Sequence, residues 1–543
     1  MMKFPTFFQK YEKWIPLLLA FFFIILTASG LATMHNPDEL VHRVSNALEG
    51  RWAFDETNFD YPSLPKYTMF GVGKIAYSLG YADDFKTIAR FLSVLLGAGT
   101  IYLVYWTTRN LGGSVLTSAV ASFFLLSNDV FSINSRFAHN DLYLTFFLTL
   151  TLYFLILYGK KMQRGWFYAA FFSVGLAASS KYNGGVFILL PLLLFLFGEG
   201  KKLFQEKLRS LEILFIGIIL SFLGFALGTP KALLWMSFYF KRMLPALSHH
   251  ASYGKTSESV VGIIGQGDVF RTALGTPIFL LFLAAFLYFF VVIAKHQRIF
   301  GAKESPPEKY KLISILLLAI IIFDLPIMAS YNYQPRFFLP IISFFAILSA
   351  LFIEEVHSLI GQSKYKKYNF LLPALVGLIL FFSFLRVISV RLLLENDPRI
   401  AASEFVTTLP EGTNLEYTMY PPEIPLEHFA SEYSYPIFFT KFEGQEVPEV
   451  GFGKPYKKFN EGEEGLLKRE NDYFVIDSFT YARCEKEIVY KTNPLECDFF
   501  ARLLSGKSTY YELIGDFNYS LPPYLPQIQI AFVNPEIQIF QRK

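Results

Sequence analysis

The chain has 543 residues, of which 53% are hydrophobic and only 17% charged, with 61 phenylalanines among them. Soluble domains carry roughly 25% charged residues, so a water-surrounded protein is set aside and a large membrane bundle is expected. The formal charge of +4 is small, and the basic residues fall between apolar runs instead of along one stripe, which sets nucleic acid aside as a partner.

The first apolar run, residues 14–37, carries no charged side chain before its end, follows Lys3, Lys10 and Lys13, and is long enough to cross a bilayer. A secretory signal would have a shorter core and a small-residue cleavage site. The run therefore predicts a retained helix. Ten further runs lacking Lys and Arg follow at 91–108, 111–128, 142–159, 165–180, 182–198, 213–230, 272–294, 312–330, 337–353 and 370–385. Together they predict an α-helical polytopic membrane protein with about eleven transmembrane helices.

With the N-terminus inside, the inner loops gather Arg109, then Lys160, Lys161 and Arg164, then Lys201, Lys202, Lys207 and Arg209, then a further five, then Lys364, Lys366 and Lys367. The short outer loops hold one basic residue each: Arg136, Lys181 and Arg336. This asymmetry predicts a cytoplasmic N-terminus and places everything after about residue 394 outside. Residues 1–393 are then the membrane domain and 394–543 a soluble α/β domain on the exterior face. Within that domain the stretches 473–476, 528–533 and 537–540 are expected to be strands. Cys484 and Cys497 both lie in it, and an oxidising exterior permits either a disulfide or two free thiols.

Two outer loops, 34–90 and 229–271, are longer than connection requires, and long loops in an economical bundle are usually functional. The first begins His35-Asn36-Pro37-Asp38-Glu39-Leu40-Val41-His42-Arg43. Pro37 is expected to open a helix with Asp38 and Glu39 in its first turn, so that Asp38 and His42 share a face. Tyr61-Pro62-Ser63-Leu64-Pro65-Lys66-Tyr67 follows, then an amphipathic stretch at 68–79 suited to the membrane surface. Lys66 is expected either beside a lipid phosphate or snorkelling to headgroups. The next outer loop supplies Arg136, His139, Asn140 and Asp141, the last serving either as a helix-start carboxylate or as a functional one. Lys181 and Arg336 lie in two further outer loops, and the second long loop adds Lys231, His249, His250 and Glu258. The gathering of these groups on one side predicts a catalytic cleft. Asp324 interrupts an apolar run and either serves a function or reaches water, and it is left out of the catalytic set.

The ordered set Asp38-Glu39, Tyr61 to Tyr67, Ala89-Arg90-Phe91, Arg136 to Asp141, Ser180-Lys181-Tyr182 and Gly228-Thr229-Pro230 resembles the GT-C superfamily. The likeness is to bacterial relatives of protein O-mannosyltransferases and of aminoarabinose transferases acting on lipid A. It covers about residues 10–350, and Arg43 departs from the pattern in its spacing from the acidic pair.

The resemblance implies a glycosyltransferase of a bacterial inner membrane that moves a sugar, with inversion, from a polyprenyl-phosphate donor to a hydroxyl on a lipid, glycan or protein at the outer face. It implies Asp38, with Glu39, as general base or close partner, Asp141 orienting the base, a metal or the sugar, and Lys66, Arg43, Lys181 and Arg336 around the donor phosphate. His139, His249, His250 and Glu258 are expected to meet substrate or a metal; no cofactor is required, and a divalent metal stays open. A polytopic transporter or lipid-linked glycan flippase, or an oligosaccharide ligase using a lipid diphosphate donor, is the alternative.

Overall fold

The computed structural model describes residues 11–32, 36, 38–50, 59, 61–203, 207–252, 262–296, 307–330, 333–434 and 462–543. The chain divides into two compact units, Met1–Ala32 with Asp38–Val387, and Thr33–Pro37 with Ile388–Lys543.

Each of the eleven apolar runs falls on helix in the structure. The long elements are Ile15–Thr27, Phe85–Asn110, Val115–Leu126, Asn140–Lys161, Arg164–Ser180, Leu189–Leu203 with a preceding 3-10 turn at Tyr182–Ile188, Lys207–Gly228, Thr276–His296, Glu308–Met328, Leu339–Gln362 and Leu371–Glu395. Seven helices among the described residues are long and apolar enough to cross a membrane, so the protein is a multi-pass membrane protein. A helix pairs its backbone groups within the segment, which is what a lipid environment demands.

Helix boundaries follow local chemistry. Ser114 caps Val115–Leu126 by accepting from the backbone N–H of Thr117 at 3.2 Å, and Asn128 caps the short helix Asp129–Asn134 by accepting from Phe131 N–H at 2.8 Å. The segment 135–139 then leads from this short helix into Asn140–Lys161. Between Arg164–Ser180 and Lys207–Gly228, small residues replace apolar bulk. A methyl group added at Gly175 would overlap the carbonyl oxygen of Ser221, and one at Gly224 would overlap that of Phe172. The two backbones therefore touch, the close approach that glycine permits between helices in lipid.

The smaller unit carries a five-stranded sheet in the order β2-β1-β3-β5-β4, with β1 Asn414–Tyr417, β2 Ser431–Ser434, β3 Tyr473–Asp477, β4 Tyr511–Phe517 and β5 Ile537–Arg542. β1 runs parallel to β2 and β3, while β5 runs antiparallel to β3 and β4. All five residues of β3 are buried, as expected of a central strand with both faces covered. The expected strands at 473–476 and 537–540 are present, but 528–533 is not a strand. Its carboxyl end turns, with Phe532 and Asn534 in the left-handed region and Val533 N–H donating to Ile530 O. Of these residues only Val533 is buried, so the apolar run marks neither a strand nor a core segment. Cys484 and Cys497 form a disulfide that ties a 3-10 turn to the helix Pro494–Leu504.

Replacing Gly224 by Leu should destabilise the membrane unit by about 1–3 kcal/mol or more through overpacking. Gly165→Ala, whose added methyl meets nothing within 4 Å, should leave it unchanged. Thermal unfolding in detergent checks the pair.

Candidate active site

The foundation of the site is a buried ion pair. Glu39 accepts two hydrogen bonds from Arg90, 2.9 Å to Nε and 2.7 Å to Nη2, and its Oε1 also accepts from Ala138 N–H at 2.8 Å. Both side chains are buried, so the carboxylate is desolvated and must be matched this fully to be tolerated. Leu40 N–H donates to Ala138 O at 3.0 Å, which adds a backbone tie between the same two segments. The segment after the first membrane helix is thus fastened to the segment before Asn140–Lys161.

These ties correct the expected helix. It does not open at Pro37, itself outside the described residues, but spans Val41–Leu48 with Leu40 at its N-cap. Glu39 is turned inward by Arg90, and the acidic pair precedes the helix instead of forming its first turn. Arg136 makes a related anchor, donating to Ser29 O at 2.7 Å and Leu26 O at 2.8 Å. It so receives carbonyls at the end of Ile15–Thr27 that lack intrahelical partners.

Above this base, three side chains from distant parts of the chain, Arg336, Lys181 and His139, share two carboxylates. Asp38, whose side chain is 39% exposed, accepts from Arg336 Nη2 at 2.9 Å. Arg336 Nε lies 4.0 Å from Asp141 Oδ2, Lys181 Nζ donates to Asp141 Oδ1 at 2.7 Å, and His139 Nδ1 is 2.8 Å from Asp141 Oδ2. Lys181 also sits over the Phe337 ring at 4.7 Å. Asp141, in the first turn of its helix, directs its oxygens to these groups and not to a cap. Burial pushes His139 below its ordinary range, against the pull of Asp141, so the imidazole is neutral near pH 7. An ionised carboxylate only accepts; Nδ1 therefore carries the proton and Nε2 presents a lone pair. Nε2 is buried without a hydrogen-bond partner, and the edge of the Tyr61 ring packs against the imidazole at 5.5 Å.

Lys66 lies near the start of the helix Leu64–Ser78 and donates to Tyr61 O at 3.1 Å. It is 5% exposed, which rules out snorkelling. Burial pushes its ammonium well below the usual range, and the charges of Arg43 and Lys231 push in the same direction. Around it the motifs of the ordered set meet: Tyr182 donates to Phe59 O at 2.8 Å, Tyr239 to Tyr182 Oη at 3.0 Å, and Ser63 N–H to Thr229 Oγ1 at 3.2 Å, with Ser179 and Thr229 hydroxyls 2.7 Å apart.

Of the residues singled out in the sequence, Asp38, Asp141, Lys181, Arg336 and His139 form one linked cluster, with Lys66 and Arg43 in a second, cationic one. Glu39 goes to the foundation. Glu258 and the side chains of His249 and His250 lie outside the described residues. Among the described residues no three His, Cys, Asp or Glu side chains converge as metal ligands. Asp324 accepts a hydrogen bond from Gln266. Arg90 and Lys231 were not given roles by the sequence; the signal for Arg90 was an arginine at the head of a long apolar run, where charge needs a partner.

Residues 65–243 match the dolichyl-phosphate-mannose-protein mannosyltransferase family. An uncharacterized protein of Aquifex aeolicus (strain VF5) is 32% identical over 120 residues, 22% of this chain and 21% of that protein, so the chain matches about a fifth of the length of this curated relative. The fold is similar to the archaeal oligosaccharyltransferase AglB from Archaeoglobus fulgidus, solved with an inhibitory peptide and a dolichol-phosphate, at 12% identity and a TM-score of 0.52 over 98% of this chain and 89% of that one. It is equally similar to ArnT from Cupriavidus metallidurans bound to undecaprenyl phosphate, at 12% identity and a TM-score of 0.53 over 96% and 97% of the two chains.

The pairing pattern separates support from chemistry. Glu39→Ala should strip Arg90 of its buried partner and cost about 3–5 kcal/mol of stability, whereas Asp38→Asn, at a part-exposed pair, should cost within about 1 kcal/mol. Melting temperatures of the two variants in one detergent check the contrast.

Proposed function

We propose, for a chain whose residues 65–243 carry the dolichyl-phosphate-mannose-protein mannosyltransferase family domain on a GT-C fold, that it is a membrane glycosyltransferase. It transfers a sugar from a polyprenyl-phosphate donor to an acceptor hydroxyl of a lipid, glycan or protein. The observation that carries this reading is the part-exposed carboxylate of Asp38 held by Arg336, on a chain that also buries Lys66 within the fields of Arg43 and Lys231.

The reaction needs little else. An acceptor hydroxyl is a poor nucleophile, and Asp38 takes its proton as the oxygen attacks the anomeric carbon. The bond from that carbon to the phosphate oxygen breaks, its electron pair leaves with the phosphate, and the centre inverts. Arg336 fixes the orientation of Asp38 and, with Lys181, matches the charge of Asp141. The donor is a phosphodiester with one negative charge, while the released polyprenyl phosphate carries about −1.5 to −2 at neutral pH. The added charge appears beside Lys66 and Arg43, so these cations hold the departing group more strongly than the bound donor, which is what catalysis requires. No step is assigned to a divalent metal.

The positive-inside pattern supports an outer-face position for this chemistry, and the Cys484–Cys497 disulfide supports an oxidising compartment for the smaller unit, as in a bacterial periplasm beside the inner membrane. A carrier would gather its ionisable groups at mid-membrane between repeats; the clusters here lie at helix ends.

Labelled-sugar transfer from a panel of polyprenyl-phosphate sugars tests the reading. Asp38→Asn should lower the rate constant about 100- to 10,000-fold while donor binding persists, and Lys66→Met should lower it roughly 100- to 1,000-fold and weaken polyprenyl phosphate binding as well. Full activity in Asp38→Asn would remove it as the base.

A further inference from the structure

His139 is the one titratable group of the cluster that the reaction above leaves unused. Its Nδ1 is held by Asp141 at 2.8 Å, which fixes the ring, and its Nε2 is buried with no hydrogen-bond partner. The residue is 5% exposed, and the next one, Asn140, is fully buried with both amide atoms also unpaired. Buried polar atoms in folded proteins are nearly always paired, so this concentration of unmatched hydrogen-bonding capacity at one helix start marks a place for a polar ligand. An aromatic ring, Tyr61, packs edge-on against the imidazole. A neutral acceptor nitrogen beside an aromatic side chain suits a sugar ring, which presents hydroxyl donors on its rim and C–H groups on its face. It does not suit a phosphate, which has no proton to give such a nitrogen. Asp38, at 39% exposure, is far more open than His139, which suits Asp38 to an arriving acceptor and the buried imidazole to the donor's sugar.

We propose that His139 Nε2 accepts a hydrogen bond from a hydroxyl of the transferred sugar, with Tyr61 beside that sugar, so that the pair selects the glycosyl group of the donor. The inference rests on the polyprenyl-phosphate-sugar reading and deepens it. Asp141 acts through His139 here as a positioning residue, holding the tautomer that leaves Nε2 bare.

The test compares binding of two lipids to the purified full-length protein: a polyprenyl-phosphate sugar that wild type transfers, and the same polyprenyl phosphate without sugar. In His139→Ala, affinity for the glycosylated lipid should fall roughly tenfold or more while affinity for the bare lipid stays unchanged, since only the sugar contact is lost. His139→Gln, which retains an acceptor oxygen and serves should the alanine variant fold poorly, should keep more affinity for the glycosylated lipid than His139→Leu. Equal losses for both lipids, or no loss for either, would overturn the proposal. If wild type binds neither lipid, it is the donor reading itself that falls, and the inference falls with it.

Discussion

A carboxylate cannot be removed from water without a partner, and in this fold that constraint is met by Arg90 against Glu39. Everything in the cluster depends on where these two meet. The pair, with the backbone tie from Leu40 to Ala138, joins the start of the first outer loop to the approach of Asn140–Lys161. Asp38 stands immediately before the one segment, and His139 and Asp141 immediately after the other. The relative placement of Asp38, His139 and Asp141 thus follows from a buried pair beneath them.

A second division of labour runs through the charges. Arg90 and Arg136 are wholly internal and bind carboxylate or carbonyl oxygens of the chain itself. Arg336 and Lys181 face two carboxylates at once, and Lys66 is kept near other cations, where an ammonium is costly until an anion arrives. Such an arrangement is unstable as pure architecture. It becomes reasonable as preorganisation for a phosphate whose charge grows during the reaction.

The helical framework was legible in the sequence because lipid leaves a strong trace: long runs without Lys or Arg can be little else, and all eleven fall on helices. The gathering of Asp38, Asp141, Lys181 and Arg336 was legible too, since the alternation of loops groups them on one side. What the sequence concealed was pairing. Nothing in the fifty residues between Glu39 and Arg90 says that they meet, and the helix of that segment begins at Val41, after the acidic pair. Residues 528–533 failed for a different reason: a short apolar run reads like a strand, but this one ends in a turn with Phe532 in the left-handed region, and only Val533 is buried. The idle nitrogen of His139 was beyond sequence reasoning altogether, because it depends on which ring atom Asp141 engages.

The pairing of Arg336 with Asp38 across 298 residues also carries a consequence for biogenesis. Chains are synthesised at about 5–20 residues per second, so roughly 15–60 s separate the appearance of the carboxylate from that of its guanidinium. During that interval the helices from Phe85–Asn110 to Glu308–Met328 can be inserted while Asp38 waits without this partner. The site is therefore assembled late, by the arrival of the helix Leu339–Gln362, and a nascent chain arrested before it would be inserted yet chemically incomplete.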